Sequence, residues 1–397
     1  MTGRISPVCR ALSSFAVLAL STVCAAWTIP PQSVYIDQTQ YNVLGDNSPL
    51  FRAPTGYFNP QNLTPPFFQI FNEGFFHLLG DSPSITLITE NDSYAFAHEA
   101  PVYLAEKNEL WFSSNDGGPL GMSDWYTTNK IWKINLDEAE LGNATLYEVP
   151  VSPPLEMTNG GTLYVDGQPL FIQSGRAELP PTLAIVNPYP PYNSTIILDN
   201  FYGRQFNSLN DVKIHPVSKA IFFTDVTYGW LNQFRPLPLL PNQVYRFDPI
   251  SGAVRVVADG FDRCNGIAFS TDGSLAYIAD TGASGGFLGN NATEPATIYE
   301  FDVDPRTQRF LNRRVFAYID TGVPDGIQLD AEGNIYTGTG DGVQIWNPNG
   351  VLLGKIFTES TVAEMIFVGN GRMIVLDETK LYLVRFAAQE HSLNYWS

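Results

Sequence analysis

Residues 267–279 read IAFSTDGSLAYIA, two apolar runs separated by the polar turn Thr271-Asp272-Gly273. Asp-Gly between apolar segments predicts a β-hairpin, because these residues tolerate the positive φ angles of tight β-turns. A further apolar segment, Ile298–Phe301, supplies another strand downstream. A hairpin followed by additional strands is therefore the unit to look for elsewhere in the chain.

The same unit recurs six times, at intervals of about 40 to 60 residues. Hairpins are predicted over Pro101–Ser114, Thr162–Gln173, Val212–Thr224, Ile267–Ala279, Ile327–Thr337 and Met365–Leu376. A later strand follows each hairpin, at 131–134, 183–186, 244–247, 298–301, 343–346 and 381–384. Because repeated four-stranded sheets arranged radially form a propeller, we predict an all-β, six-bladed β-propeller. A large β-sandwich or a β-helix is the alternative, and the uneven spacing disfavours a solenoid.

The segment before the first hairpin is rich in aromatic residues and proline. We expect residues 27–97 to form an N-terminal extension that packs on the ring and completes its last blade. The propeller itself is predicted over residues 98–397.

Composition limits the classes of partner. The 397 residues include 22 Lys+Arg and 40 Asp+Glu, a formal net charge of −18, and 44% are hydrophobic. This apolar content excludes intrinsic disorder. The acidic balance makes nucleic acids and anionic membranes poor partners and is compatible with bound cations, but it does not name a partner. The oligomeric state is not predicted.

The N-terminus has the pattern of a secretory signal peptide. Arg4 and Arg10 precede an apolar run over 11–20, and small residues at 24–26 precede Trp27. An N-terminal core helix is the alternative. Removal of residues 1–26 leaves Cys264 as the one cysteine, too few for an internal disulfide framework.

Glycosylation sequons agree with export. Five occur downstream of the signal peptide, at Asn62, Asn91, Asn143, Asn193 and Asn291. No later window supplies the roughly 18 apolar residues needed to span a membrane. We therefore expect a secreted, extracellular glycoprotein.

Four polar side chains precede predicted innermost strands of different blades, namely Glu99, Asn210, Asn265 and Asp325. In a propeller these strand ends converge on the central channel, so the four can meet. Carboxylate and amide oxygens are the donors that Ca²⁺ takes, whereas zinc would require His or Cys. The pattern predicts one central divalent cation, with calcium preferred and another divalent metal as the alternative.

Each of these residues also has an explanation without a ligand. Asn265 and Asp325 precede glycines and could simply form turns. Glu99 could be a solvated loop acid, and Asn210 with Asp211 could form an Asx turn. Their shared position in four blades favours the metal site.

The motifs around these residues resemble those of the gluconolactonase and regucalcin (senescence-marker protein) family of calcium-dependent six-bladed propellers. They are Glu99–Val102, Asn210-Asp211, Asn265-Gly266 and Pro324–Gly326. The longer strings 203–212, 232–238, 242–246 and 346–350 resemble the secreted fungal lactonohydrolases that open aldonolactones and pantoyl lactone. The resemblance extends from about Ser33 to Phe386.

The resemblance implies calcium-dependent hydrolysis of a small lactone to its hydroxy acid. Glu99 and Asp325 are then the carboxylates assigned to catalysis, with Asp325 as the general base. His98 and His215 are alternatives for that base, because they border ligand segments. Asn159 and Asp211 are further candidates for the pocket. Ser208 stands where regucalcin-type members carry a substrate-binding arginine, and Val212 replaces a common glycine.

Two features disfavour nucleophilic catalysis. No Gly-x-Ser-x-Gly elbow occurs in the sequence, and nothing near Cys264 would activate its thiol. Two alternatives to the lactonase remain open: a propeller that binds calcium or a ligand without catalysis, and an enzyme of the paraoxonase or strictosidine-synthase kind with another substrate.

Overall fold

The computed structural model describes residues 28–45, 51–53, 55–164 and 167–391. The signal peptide predicted over residues 1–26 lies outside these ranges. Within them, no helix is long and apolar enough to cross a bilayer.

Three strands precede the first complete blade: β1 (Ser33–Tyr35), β2 (Phe67–Ile70) and β3 (Ser84–Glu90). Blade 1 contains β4 (Glu99–Leu104), β5 (Glu109–Ser113), β6 (Ile131–Asn135) and β7 (Tyr147–Glu148). Blade 2 contains β8 (Thr158–Leu163), β9 (Pro169–Gln173), β10 (Thr182–Val186) and β11 (Ser194–Leu198). Blade 3 contains β12 (Leu209–Ile214), β13 (Ile221–Asp225), β14 (Gln243–Asp248) and β15 (Ala253–Ala258).

The remaining blades continue this order. Blade 4 contains β16 (Cys264–Phe269), β17 (Leu275–Asp280), β18 (Thr297–Val303) and β19 (Phe310–Tyr318). Blade 5 contains β20 (Ile327–Leu329), β21 (Ile335–Thr339), β22 (Gly342–Trp346) and β23 (Leu352–Phe357). Blade 6 contains β24 (Glu364–Phe367), β25 (Arg372–Asp377) and β26 (Lys380–Arg385). In the described part of the chain the α-helices are short: α1 (Gly74–Leu79), α2 (Leu136–Glu140) and α3 (Tyr228–Leu231).

The sheets confirm the predicted six-bladed β-propeller. Each predicted hairpin forms the first two strands of one blade, and each later apolar segment forms the third. The N-terminal strands belong to the last two blades. Strand β3 is the outermost strand of blade 6, paired antiparallel with β26, while β2 pairs with β23 and β1 with β2 on blade 5.

The apolar core consists of clusters between neighbouring blades, and the second strand of a blade contributes to two of them. In β5, Leu110 and Phe112 pack in the cluster shared with blade 6, whereas Trp111 packs in the cluster shared with blade 2. Successive side chains of a strand point to opposite faces, and both faces of the sheet are covered here. This explains why the second strands are apolar at nearly every position.

Candidate functional site

The innermost strands all begin at one end of the channel, here called the entrance end. At this end, long loops connect the second and third strands of blades 1 to 4, over 114–130, 174–181, 226–242 and 281–296. In blades 5 and 6 the corresponding turns are two residues long, 340–341 and 378–379. Long loops from blades 1 to 4 therefore border the entrance, whereas blades 5 and 6 contribute only short turns there.

A β-bulge occurs at the same register in blades 1 to 4. The pairing of the first two strands shifts by one residue between Glu99 and Val102, Thr158 and Gly161, Leu209 and Val212, and Cys264 and Ile267. Bulges bend a strand and re-aim a side chain, and they are over-represented beside active sites. Asn159, Asn210 and Asn265 occupy the same position within their bulges, so three successive blades each present an amide at the entrance end.

Buried aspartates at the ends of second strands hold the loops that lead into the bulges. Asp225 Oδ1 accepts hydrogen bonds from the backbone N–H groups of Asn207 and Ser208, both at 2.9 Å. Asp280 Oδ1 accepts one from Arg263 at 2.8 Å. The chain just before Asn210 and just before Asn265 is thereby fixed to its own blade.

Of the predicted cation-binding residues, Glu99, Asn265 and Asp325 lie close together at the entrance end, and Asn210 occupies in blade 3 the bulge position that Asn265 occupies in blade 4. The side chain of Asn265 donates a hydrogen bond to Asp325, and Glu99 and Asp325 are close enough to repel each other electrostatically. A Cβ atom at Gly266 would overlap the carbonyl oxygen of Asp325, so only glycine permits blades 4 and 5 to approach this closely. Asn210 is 5% exposed, and its Oδ1 has no hydrogen-bond partner in the part of the chain that the structure describes.

The carboxyl groups of Glu99 and Asp325 have raised pKa values. Burial raises the pKa of Glu99 well above its ordinary value, and Asp325, Glu364 and Asp211 add to the shift. Burial raises the pKa of Asp325 to about 7, with Glu378 and Asp211 adding to it while His98 and Asn265 oppose it. Like charges held in a desolvated site disfavour ionisation of one another. A divalent cation would reverse that preference, because it favours the ionised form of each carboxylate.

The donor set fits a hard cation. It comprises two carboxylates and two amides, one of which has a buried oxygen without a partner. Among the residues in the described ranges, no three His, Cys, Asp or Glu side chains form a cluster that could hold a metal. A cation at the entrance would therefore take amide oxygens, which Ca²⁺ accepts and zinc sites rarely use.

The two candidate histidines occupy different ends of the channel. His98 precedes Glu99, and its Nδ1 lies 2.7 Å from Glu378 Oε1 of blade 6. Burial lowers the pKa of His98, but Glu378, Asp116 and Asp325 outweigh it and raise this pKa to about 9. His215 follows the far end of β12, roughly 16 Å of extended strand beyond Asn210. Its Nε2 contacts the carbonyl oxygen of Gly273 at 2.9 Å, so the expectation that His215 borders the site is corrected.

Asp211 of blade 3 forms a hydrogen bond to blade 4. Its Oδ2 accepts a hydrogen bond from Ile267 N–H of blade 4 at 2.9 Å, and its Oδ1 accepts one from Val212 N–H at 2.7 Å. Lys213 Nζ lies 3.3 Å from the same carboxylate. These contacts make Asp211 a positioning residue between blades 3 and 4.

Three further residues that the sequence singled out have structural surroundings. Ser208 Oγ accepts a hydrogen bond from Gly229 N–H at 3.0 Å, and Val212 is buried in the core. The Cys264 thiol is buried, which raises its pKa well above its ordinary value and disfavours the reactive thiolate.

Sequence reasoning missed an acid in blade 6. Glu364 is the first residue of the innermost strand of that blade, and its carboxylate lies against Gly326 of blade 5. Burial raises its pKa to about 7, while nearby Lys213 opposes the shift. The signal was available, since Glu364 directly precedes the predicted hairpin of blade 6. Asp116 and Glu378 carry no comparable signal, because both lie in connections between second and third strands.

A cavity of about 380 Å³ opens at the opposite end of the channel. Its walls come from the far ends of the innermost strands, including Tyr103, Leu163 and Phe269, together with Glu390 near the C-terminus. It does not include Glu99, Asn210, Asn265 or Asp325, so the candidate site and this cavity are separate features.

Residues 98–376 match the family described as SMP-30/Gluconolactonase/LRE-like region. The chain belongs to this family. It is 29% identical to the lactonohydrolase oryL of Aspergillus oryzae, over 74% of this chain and 68% of the relative. It is also 29% identical to a gluconolactonase of Zymomonas mobilis, over 65% of this chain and 68% of that enzyme.

Solved structures show the same fold. A gluconolactonase from Xanthomonas campestris superposes with a TM-score of 0.63 at 23% identity, covering 82% of this chain and 95% of that protein. The calcium-binding protein regucalcin from Agrobacterium tumefaciens superposes with a TM-score of 0.54 at 16% identity, covering 77% and 95%.

Proposed function

We propose that this protein is a hydrolase that opens a small lactone to its hydroxy acid, with a divalent cation, calcium by preference, at the entrance of the propeller. The observation that carries the proposal is the closeness of Glu99, Asn265 and Asp325 from three blades, with the buried Asn210 oxygen at the equivalent bulge position of blade 3 and without a partner among the described residues. Relatives named as a lactonohydrolase and a gluconolactonase support the reaction class. The aldonolactone and pantoyl-lactone types are the substrates we favour.

These four residues would hold the cation. When bound, it would act as a Lewis acid that polarises the lactone carbonyl and stabilises negative charge on its oxygen. Regucalcin, described as a calcium-binding protein, has the same fold, which is consistent with such a site.

The residues of the chain supply the proton transfer. Asp325 is half-buried at the entrance and is oriented by Asn265, so its carboxylate can accept a proton from the attacking water. The water oxygen bonds to the carbonyl carbon, and the bond between that carbon and the ring oxygen breaks. The proton then passes to the departing ring oxygen, which becomes the hydroxyl group of the product. Glu99 takes part by binding the cation.

The test is acid release in a pH-stat, on aldonolactones and pantoyl lactone, before and after chelation. We expect turnover to stop with chelator and to return with Ca²⁺. Glu99→Gln and Asp325→Asn should each lower the rate at least 100-fold, because each removes a carboxylate that binds the cation or accepts the proton.

Ser274→Ala, in an exposed turn at the far end of the channel, is the control and should keep the full rate. An undiminished rate in Glu99→Gln or Asp325→Asn would remove that residue from the site. Calcium binding without acid release would favour a binding propeller, and activity confined to bulky aromatic esters would favour a paraoxonase-like enzyme.

We also propose that the protein is secreted and glycosylated. Asn62, Asn91, Asn143, Asn193 and Asn291 are all exposed, so the sequons are on the surface. A chain recovered from the medium should begin at Trp27 and lose mass on enzymatic deglycosylation. A retained residue 1–26 segment would contradict the export signal.

A further inference from the structure

A buried polar cluster lies beside the predicted cation site, where the connection after β5 meets the first strands of blade 2. Asp116 is 5% exposed, and its Oδ2 accepts hydrogen bonds from Asn159 Nδ2 at 3.1 Å and Ser174 Oγ at 3.2 Å. Its Oδ1 lies 3.8 Å from His98 Nε2. The cluster thus joins the entrance ends of blades 1 and 2.

The orientation of the Asn159 amide follows from its partner. An ionised carboxylate only accepts hydrogen bonds, so the amide must present its nitrogen to Asp116 and its oxygen to the other side. That oxygen is buried, with the residue 4% exposed, and it has no hydrogen-bond partner among the residues the structure describes.

The Asn159 oxygen is placed next to the candidate active site. Asn159 occupies the bulge position that Asn210 and Asn265 occupy in the next two blades. A Cβ atom at the following residue, Gly160, would collide with the backbone of Asn210 and Asp211. Asn159 and Asn210 are therefore immediate neighbours across the seam between blades 2 and 3.

The cluster is rich in acceptors. The Asn159 oxygen requires a donor, because a buried acceptor left unpaired destabilises the folded protein. The one proton of the Ser174 hydroxyl already has two acceptors, Asp116 Oδ2 and the carbonyl oxygen of Leu209 at 2.8 Å, and the Asn159 nitrogen is committed to Asp116. A group that donates a hydrogen bond, such as an alcohol, is the chemical complement of this surface.

We propose that Asn159, held by Asp116, binds a hydroxyl substituent of the lactone next to its ester group. The inference rests on the proposed function and names the residues that would recognise the hydroxyl group shared by the favoured lactones. A site built to hydrogen-bond a substrate hydroxyl discriminates strongly against the analogue that lacks it, because its own buried groups are then left unpaired. Asn159 and Asp116 are thus specificity-determining residues.

The test compares two lactones of the same ring size, D-galactono-1,4-lactone and γ-butyrolactone, on the calcium-loaded protein. Asn159→Leu should lower kcat/KM for the hydroxylated lactone about 10- to 100-fold and leave that for γ-butyrolactone within threefold. Ser174→Ala should act in the same direction, more weakly. Its matched control Ser274→Ala should change neither, whereas Asn210→Ala should lower both together.

A second readout is the binding of D-galactonate, measured by calorimetry, which needs no turnover. Wild type should bind it at least tenfold more tightly than Asn159→Leu does. Asp116→Asn keeps the size of the side chain and should also weaken binding, so a misfolded leucine variant would not decide the result.

The outcomes separate the two proposals. If Asn159→Leu slows both lactones equally, or changes neither selectivity nor galactonate binding, the hydroxyl site is wrong while the lactonase stands. If wild type opens no lactone but binds galactonate through Asn159, the lactonase is wrong and the hydroxyl site stands. If wild type neither opens a lactone nor binds galactonate, both are wrong.

Discussion

Lys355 shows how single charged residues stabilise this ring. Its side chain has no solvent exposure, and its Nζ lies 2.8 Å from both Asp341 Oδ2 and Asp320 Oδ1. Asp341 is also fully buried. Burial by itself would raise the pKa of Asp320. The positive charges of Lys355 and Arg52 outweigh that effect and lower the pKa of Asp320 to about 2. The cluster links β23 to the entrance-end turn of blade 5.

We predict that Lys355→Met destabilises the protein by about 3–5 kcal/mol, because it leaves the buried Asp341 carboxylate without its counter-charge. Lys130→Met is the matched control. Lys130 pairs with Glu148 at 2.7 Å, but both side chains are about half exposed, so its loss should cost less than about 1 kcal/mol. Urea unfolding measures both. Equal losses in the two variants would contradict a special role for the buried pair.

At the same scale, the sequence predicted part of the site. Glu99, Asn210, Asn265 and Asp325 could be proposed from the sequence because each stands just before an apolar run that predicts an innermost strand. The sequence did not show that Asn159 and Asn210 occupy equivalent positions. Both lie in a β-bulge at the same register, and a bulge is visible only once the strand pairing is known. The prediction put His215 beside the site because it is close to Asn210 in sequence. Asn210 lies at the start of β12 and His215 follows its end, so the six-residue strand separates the two side chains.

At the scale of elements, strand β3 closes the last blade. Ile88 of β3 is 2% exposed and packs in a cluster with residues of blades 6 and 1, including Leu383 and Phe112. Its neighbour Leu87 points to the opposite face and is 38% exposed. The N-terminal segment is thus part of the seam between the first and last blades.

We predict that Ile88→Ala costs about 2–4 kcal/mol, since it removes buried methyl groups and leaves a cavity in that seam. Leu87→Ala should cost less than about 1 kcal/mol. The free energy of unfolding measures both variants. Similar small losses would show that β3 contributes little to closure.

The hairpins could be predicted because their turns and apolar runs are local features. The short pieces β1, β2 and β7 could not, since two to four residues carry no usable period. Their pairing depends on neighbours distant in sequence, as in the contact of β2 with β23.

At the scale of the whole molecule, the proposed cation would connect blades 1, 3, 4 and 5. We predict that Ca²⁺ raises the Tm by about 3–5 °C at 100 times its Kd, because it binds the folded state alone. Asn210→Ala should abolish most of the shift, and Asn349→Ala, in an exposed turn, should keep it.

Sodium chloride at equal ionic strength is the salt control, because a chain with a formal net charge of −18 also responds to screening. An equal rise with sodium, or with Asn210→Ala, would contradict a specific site at the entrance.

The pairing of β3 with β26 has a practical consequence for anyone who shortens this gene. The family match covers residues 98–376, so a fragment cut at those limits lacks both β3 and β26. It would retain two strands of blade 6, with the backbone groups of β25 open to pair with another molecule. Such a truncated product should self-associate or precipitate during purification, and boundaries for expression are better drawn outside Ser84 and Arg385.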